Sequence, residues 1–124
     1  MSMYRSMFQI YVKGSLKAVE FYKKAFGAKT GAVYPNDDET AYIHAELDVF
    51  GQVLAVSETQ EDSVPGNTMQ FCLHIGEYGH EIVKSAYEVL KTGAEIHDVL
   101  GECPFSPLMF SLIDKFGVNW CIFV

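Results

Sequence analysis

The sequence predicts an α+β fold of two tandem βαβββ modules, on three observations: a recurring helix ending, a strand-like alternation ahead of each helix, and three apolar runs behind it. The segment Ala25-Phe26-Gly27-Ala28-Lys29 returns 66 residues later as Lys91-Thr92-Gly93-Ala94-Glu95, and Phe50-Gly51 returns at the same spacing as Phe116-Gly117. One offset shared by two landmarks marks an internal duplication. It sets a first module at about 5–58, a linker at about 59–68 and a second module at about 69–124. Together they make one domain spanning 1–124, an ordinary size for a domain.

In the first module, residues 7–12 alternate, with Phe8, Ile10 and Val12 on one face and Met7, Gln9 and Tyr11 on the other. A helix follows, with Ser15 as N-cap and Gly27 as its left-handed end, and it buries Leu16, Val19, Tyr22 and Phe26. Strands are predicted at 28–34, 41–49 and 52–57, separated by the turns Pro35-Asn36-Asp37-Asp38 and Phe50-Gly51. In 41–49 the set Ile43, Ala45, Leu47 and Val49 points inward and leaves Tyr42, His44, Glu46 and Asp48 opposite. The linker contains Pro65-Gly66-Asn67.

The second module repeats the plan. Residues 70–75 put Phe71, Leu73 and Ile75 on one face, a helix over 79–93 buries Ile82, Val83, Ala86 and Leu90, and strands are predicted at 94–99, 109–113 and 118–124. Turns fall at 104–107, between two prolines, and at Lys115-Phe116-Gly117.

A 49% hydrophobic share is enough for a packed interior, and a 20% charged share is too low for a disordered chain. The formal net charge is −7 and no basic cluster exceeds Lys23-Lys24. That excludes nucleic acid as an expected partner, because backbone binding rests on a basic face. No apolar run nears the roughly 20 residues that span a bilayer, and the opening Met1-Ser2-Met3-Tyr4-Arg5-Ser6 lacks an apolar signal stretch. No membrane is expected, and the cytoplasm is the expected compartment. Cys72, Cys103 and Cys121 are odd in number and irregularly spaced, with no CxxC pair, which points to reduced thiols.

The helix covers one face of each sheet, so ligand chemistry belongs on the other. Alternation assigns Gln9, Tyr11, His44, Glu46, Gln70, Cys72, His74, Asn119, Cys121 and Phe123 to that open face. Such a mixture of aromatic and polar side chains suits a small organic ligand, although strand positions that merely face water carry similar residues.

Three stretches on this doubled plan carry a family resemblance: Phe21-Tyr22-Lys23-Lys24-Ala25-Phe26-Gly27-Ala28, His44-Ala45-Glu46-Leu47, and Asp114-Lys115-Phe116-Gly117-Val118-Asn119-Trp120. They resemble the vicinal oxygen chelate superfamily of glyoxalase I, bleomycin-resistance proteins and extradiol dioxygenases, above all its PhnB-like branch. The resemblance covers nearly the whole chain and implies a glyoxalase-like fold, with curved mixed sheets and helices on their outer face. It implies a homodimer as well, since modules of this superfamily pair into complete cups within or between chains.

The resemblance further implies one divalent metal held by His, Glu or Gln on the first and last strands of each half. Those positions fall here at Met7, Ala55, Gln70 and Cys121, which cannot complete an octahedral N and O site. No metal and no other cofactor is therefore expected, and a glyoxalase or dioxygenase mechanism loses the metal that polarises vicinal oxygens. Some PhnB-like relatives are described as demethylubiquinone methyltransferases, yet this chain has no glycine-rich strand-to-helix turn for S-adenosylmethionine.

Other constellations are open to more than one reading. His44 and Glu46 share a strand face and, with His74, would form an alternative metal site or an acid/base pair; the plainer reading is a hydrogen-bonded structural histidine. Glu102, in the loop before the penultimate strand, matches an acidic residue that the branch often carries at its pocket mouth, or is a solvated loop carboxylate. Cys121 is a nucleophile, a soft-metal ligand or a small buried hydrophobe. Trp120 falls on the core-facing side, and His80 and His97 read as exposed.

The candidate pocket places Tyr11 and Phe123 as apolar walls around His44, Glu46, Gln70, His74 and Cys121, with Glu102 at the mouth. The expected function is binding of a small organic molecule without turnover, in the manner of bleomycin-resistance relatives. The alternatives are a divalent-metal-dependent lyase, isomerase or oxygenase acting on a vicinal-oxygen substrate, and an interaction module whose pocket has decayed.

Overall fold

The first alternating segment forms strand β1 (Phe8–Val12), followed by helix α1 (Ser15–Phe26) and strands β2 (Lys29–Pro35), β3 (Tyr42–Val49) and β4 (Gln52–Glu58). The structure, a computed structural model, describes residues 1–124, and the chain divides into two units, Met1–Ser63 and Val64–Val124. In the first unit the four strands lie in the order β1-β4-β3-β2, with β1 parallel to β4 and the other pairs antiparallel. The parallel pair requires a crossover, which α1 and the β2-β3 hairpin provide.

Helix α1 packs on β3 and β4. The pairs Ala45–Val56 and Leu47–Leu54 on β3 and β4, and Ile10–Val56 on β1 and β4, form its floor, and all five of those side chains are buried. Burying one such aliphatic side chain contributes about 1.5–3 kcal/mol. The helix itself buries Ser15, Ala18, Val19, Tyr22, Ala25 and Phe26. Leu16, expected inside, is 37% exposed, because the buried stripe runs through 15, 19, 22 and 26 and Leu16 stands about 100° further round the helix.

Ser15 is not the N-cap. Gly14 holds that position at φ 81°, and the Ser15 hydroxyl instead accepts a hydrogen bond from the Tyr42 amide at 2.8 Å. The first helical amides are satisfied from β4, where the Glu58 carboxylate accepts from Gly14 N at 3.0 Å and Ser15 N at 2.8 Å. The other end follows the expectation, with Gly27 left-handed at φ 61°. Ile43, also expected inside, is 63% exposed. It lies before Ala45, the first β3 residue paired with β4, and so beyond the covered part of the sheet.

The second unit repeats this order with β5 (Phe71–His74), α2 (His80–Leu90), β6 (Glu95–Cys103), β7 (Ser106–Ile113) and β8 (Asn119–Phe123), arranged β5-β8-β7-β6 with β5 parallel to β8. Helix α2 buries Val83, Ala86, Tyr87 and Leu90 and packs on β7, where Phe110 and Leu112 are fully buried. Tyr87 takes the place expected for Ile82, which is 38% exposed. The helix stops at Leu90 with Lys91 as C-cap, short of the expected Gly93.

Strands β6 and β7 run further than alternation suggested, because pairs as late as Gly101–Met109 and Cys103–Ser106 still form. The predicted loop at 104–107 thus shrinks to a tight turn. The central strands β4 and β8 are buried on both faces, which is why Asn119 and Cys121 are 8% exposed rather than open to water. No helix is long and apolar enough to cross a membrane.

Candidate functional site

In the first unit, the sheet face turned away from α1 carries one cross-strand row, Gln9, Ala55 and Glu46, on β1, β4 and β3. The next positions along add Tyr11 beside Ser57, and His44. Gln9 Nε2 donates to Ser57 Oγ at 3.0 Å and to the Ile10 carbonyl at 3.1 Å. Glu46 is gripped on both oxygens: Arg5 Nη1 lies 2.8 Å from Oε1, and both Arg5 Nη2, at 2.9 Å, and His44 Nε2, at 2.8 Å, meet Oε2.

These contacts determine the chemistry of the carboxylate. The Arg5 hydrogen bonds, and then that of His44, hold Glu46 well below the usual carboxylate range, at about 2. At neutral pH it is a fixed negative charge that orients His44, with no lone oxygen left over for general-base work. Beside it opens a cleft of about 440 Å³, lined by Gln9, Tyr11, Tyr42, Ile43, His44 and Ser57 among others. The Tyr11 ring is 61% exposed there, and Tyr34 packs beside His44 with ring centres 6.3 Å apart.

In the second unit, His74 stacks on Phe123 at 4.6 Å and 18°, and Phe105 meets Phe123 edge-on at 5.1 Å. Gln70 Nε2 donates to Asn119 Oδ1 at 3.3 Å, while Asn119 Nδ2 donates to the Met69 carbonyl at 3.1 Å. Burial, followed by the adjacent Cys72, pushes the Cys121 thiol up to about 11. It is protonated at neutral pH and a poor nucleophile. Glu102 is exposed and lies within β6, not in a loop, because the β6-β7 pairing continues past it.

The candidate residues therefore divide, with Tyr11, His44 and Glu46 in the first unit and Gln70, His74, Glu102, Cys121 and Phe123 in the second. The expected His44–Glu46 contact is present, and Arg5 is the other partner at the carboxylate. Trp120 is in the core as expected. Sequence reasoning missed Arg5 and Ser57. Ser57 had a signal, since it follows Ala55 by two along one strand. Arg5 had none, because nothing local points to a residue 41 positions away.

The four positions that the family resemblance assigns to a divalent metal do not suit one. Ala55 has no donor atom and Met7 and Cys121 offer only sulfur, so the Gln70 side-chain oxygen would be the one hard donor among the four. Register also pairs Ala55 with Gln9 and Cys121 with Cys72, so the cross-strand neighbours are not Met7 and Gln70. A second cleft, about 510 Å³ and lined by Asn67, Glu95, His97 and Lys115 among others, contains none of the candidate residues.

A protein-family model described as the Glyoxalase/Bleomycin resistance protein/Dioxygenase superfamily matches residues 6–122. Among solved structures, the PhnB protein from Bacillus cereus is similar at 21% identity and a TM-score of 0.81, over 96% of this chain and 98% of that one. Protein PA1353 from Pseudomonas aeruginosa is similar at 18% identity and a TM-score of 0.81, over 98% and 97%. The fosfomycin resistance protein FosX from Listeria monocytogenes is similar at 11% identity and a TM-score of 0.70, over 99% and 93%. At these identities the likeness concerns the fold. No curated protein matches the sequence.

Proposed function

Since the chain belongs to the Glyoxalase/Bleomycin resistance protein/Dioxygenase superfamily, we propose that it binds a small organic molecule in the first-unit cleft without metal-assisted turnover. The observation that carries this reading is the cleft beside the Arg5–Glu46–His44 chain, where hydrogen-bonding groups on Gln9, His44 and Ser57 alternate with the Tyr11 and Tyr42 rings. Polar groups set between aromatic walls fit a planar compound with hydrogen-bonding edges. The Glu46 charge is balanced by Arg5, so no cationic ligand is needed to satisfy it.

Against turnover stands the donor set at Met7, Ala55, Gln70 and Cys121, which leaves vicinal oxygens without a hard Lewis acid. One expectation accompanies the binding reading. The outer strands β2 and β6 are exposed along most of their length, and such edges favour pairing with a second copy into a homodimer, measurable by analytical ultracentrifugation.

The test is a melting-shift screen with planar and antibiotic-like compounds, followed by titration calorimetry on any compound that raises the melting temperature. The expected result is a shift that persists in chelator and shrinks in Tyr11→Ala and His44→Ala. Chelator-sensitive turnover of a vicinal-oxygen substrate, or a shift untouched by both variants, would overturn the reading.

A further inference from the structure

Cys72 and Cys121 are register partners on the parallel strands β5 and β8, so both side chains leave the sheet on one face. Neighbouring strands run about 4.8 Å apart, which sets the Cys72 and Cys121 side chains next to each other on that face. Cys121 is buried and Cys72 is exposed, so the pair has a packed side and an open side. Across β8, the partner of Cys121 on β7 is Ser111, whose Oγ donates to Asp98 Oδ2 at 2.5 Å. A carboxylate is thereby anchored on the same flank as Cys121. No group of three or more His, Cys, Asp or Glu side chains converges to hold a metal ion. The pair therefore offers two sulfurs and no third ligand.

We propose that Cys72 and Cys121 form a two-coordinate site for a soft, thiophilic monovalent cation, Cu(I) being the physiological case. Thiolates select Cu(I) over hard cations, and a closed-shell monovalent ion is satisfied by two sulfurs in line, whereas structural zinc takes four ligands. One strand spacing is also the scale on which a single ion bridges two sulfurs facing each other. Binding breaks two S–H bonds, releases both protons to solvent and forms two S–Cu bonds, while the copper stays Cu(I) throughout. The exposed Cys72 is the point of entry, and the burial of Cys121 shields the bound ion from water on one side. None of the first-unit cleft residues takes part, so this site stands or falls separately from the small-molecule reading.

The experiment loads reduced, full-length protein with Cu(I) as its acetonitrile complex under anaerobic conditions and then challenges it with the chromogenic chelator bicinchoninate. The expected result is a single Cu(I) retained per chain, with an X-ray absorption spectrum showing two sulfur neighbours. Retention falls to background in Cys72→Ser and is unchanged in Cys103→Ser. Because Cys121→Ser alters a buried position, the exposed Cys72 carries the test, with its fold verified by circular dichroism. Retention by a folded Cys72→Ser protein, a third sulfur neighbour lost in Cys103→Ser, or no retention by the wild type would overturn the proposal.

Discussion

Arg5 and Glu46, 41 residues apart, meet as a two-point ion pair with Nη1–Oε1 at 2.8 Å and Nη2–Oε2 at 2.9 Å. The planar guanidinium matches the carboxylate fork, and His44 joins on the Oε2 side at 2.8 Å. A segment ahead of β1 is thus tied to β3, and the tie holds the polar wall of the cleft.

The pair makes stability depend on pH with a definite sign. Glu46 sits at about 2 in the folded protein against an ordinary 4.5, so its contribution is fully present above the ordinary value and is lost as pH falls through about 2. Melting temperatures measured from pH 6 down to pH 2 should therefore fall more steeply in the wild type than in Glu46→Gln, with the two curves converging at the acid end. Parallel curves would show that the pair gives no net stabilisation.

The turn between β7 and β8 hangs on one carboxylate. Asp114 Oδ2 accepts from Trp120 Nε1 at 2.9 Å, and Oδ1 accepts from the amides of Phe116 at 2.8 Å and Val118 at 3.1 Å. Asp114 is 4% exposed. Asp114→Ala strands three donors and should cost about 3 kcal/mol or more in urea unfolding, since each unsatisfied buried group costs about 1–3 kcal/mol. Trp120→Phe removes one donor and should cost less than Asp114→Ala.

Glu58 supplies the cap that α1 lacks locally. Burial raises its pKa, but the hydrogen bonds from Ser15 and Gly14 outweigh that and leave it lowered. Glu58→Ala should cost about 1 kcal/mol, the scale of a lost N-cap, and hydrogen exchange should quicken first at the opening turn of α1. Uniform acceleration across the unit would point to general destabilisation instead.

Thiol reactivity should follow exposure. With limiting iodoacetamide at neutral pH, peptide mass spectrometry should find Cys72 modified well before Cys121, which is 8% exposed and protonated. Equal labelling would mean that β8 opens on the timescale of the reaction.

Much of this architecture is legible residue by residue. The period-two runs in β1 and β3 put Ile10, Ala45 and Leu47 into the core, the repeat set out both modules, and Gly27 marked a helix end, because each of these follows from torsional preference or side-chain direction within a short window. Tertiary structure decided what long-range pairing controls. Ser15 gave up the cap because its hydroxyl serves Tyr42, Ile43 lost its cover where the β3-β4 pairing stops, Cys121 gained Cys72 through strand register, and Arg5 found Glu46 only once β3 lay beside β4 and β1. Local periodicity encodes which way a side chain faces. Which distant group waits there is decided by chain closure and register, and spacing along one segment carries no record of either.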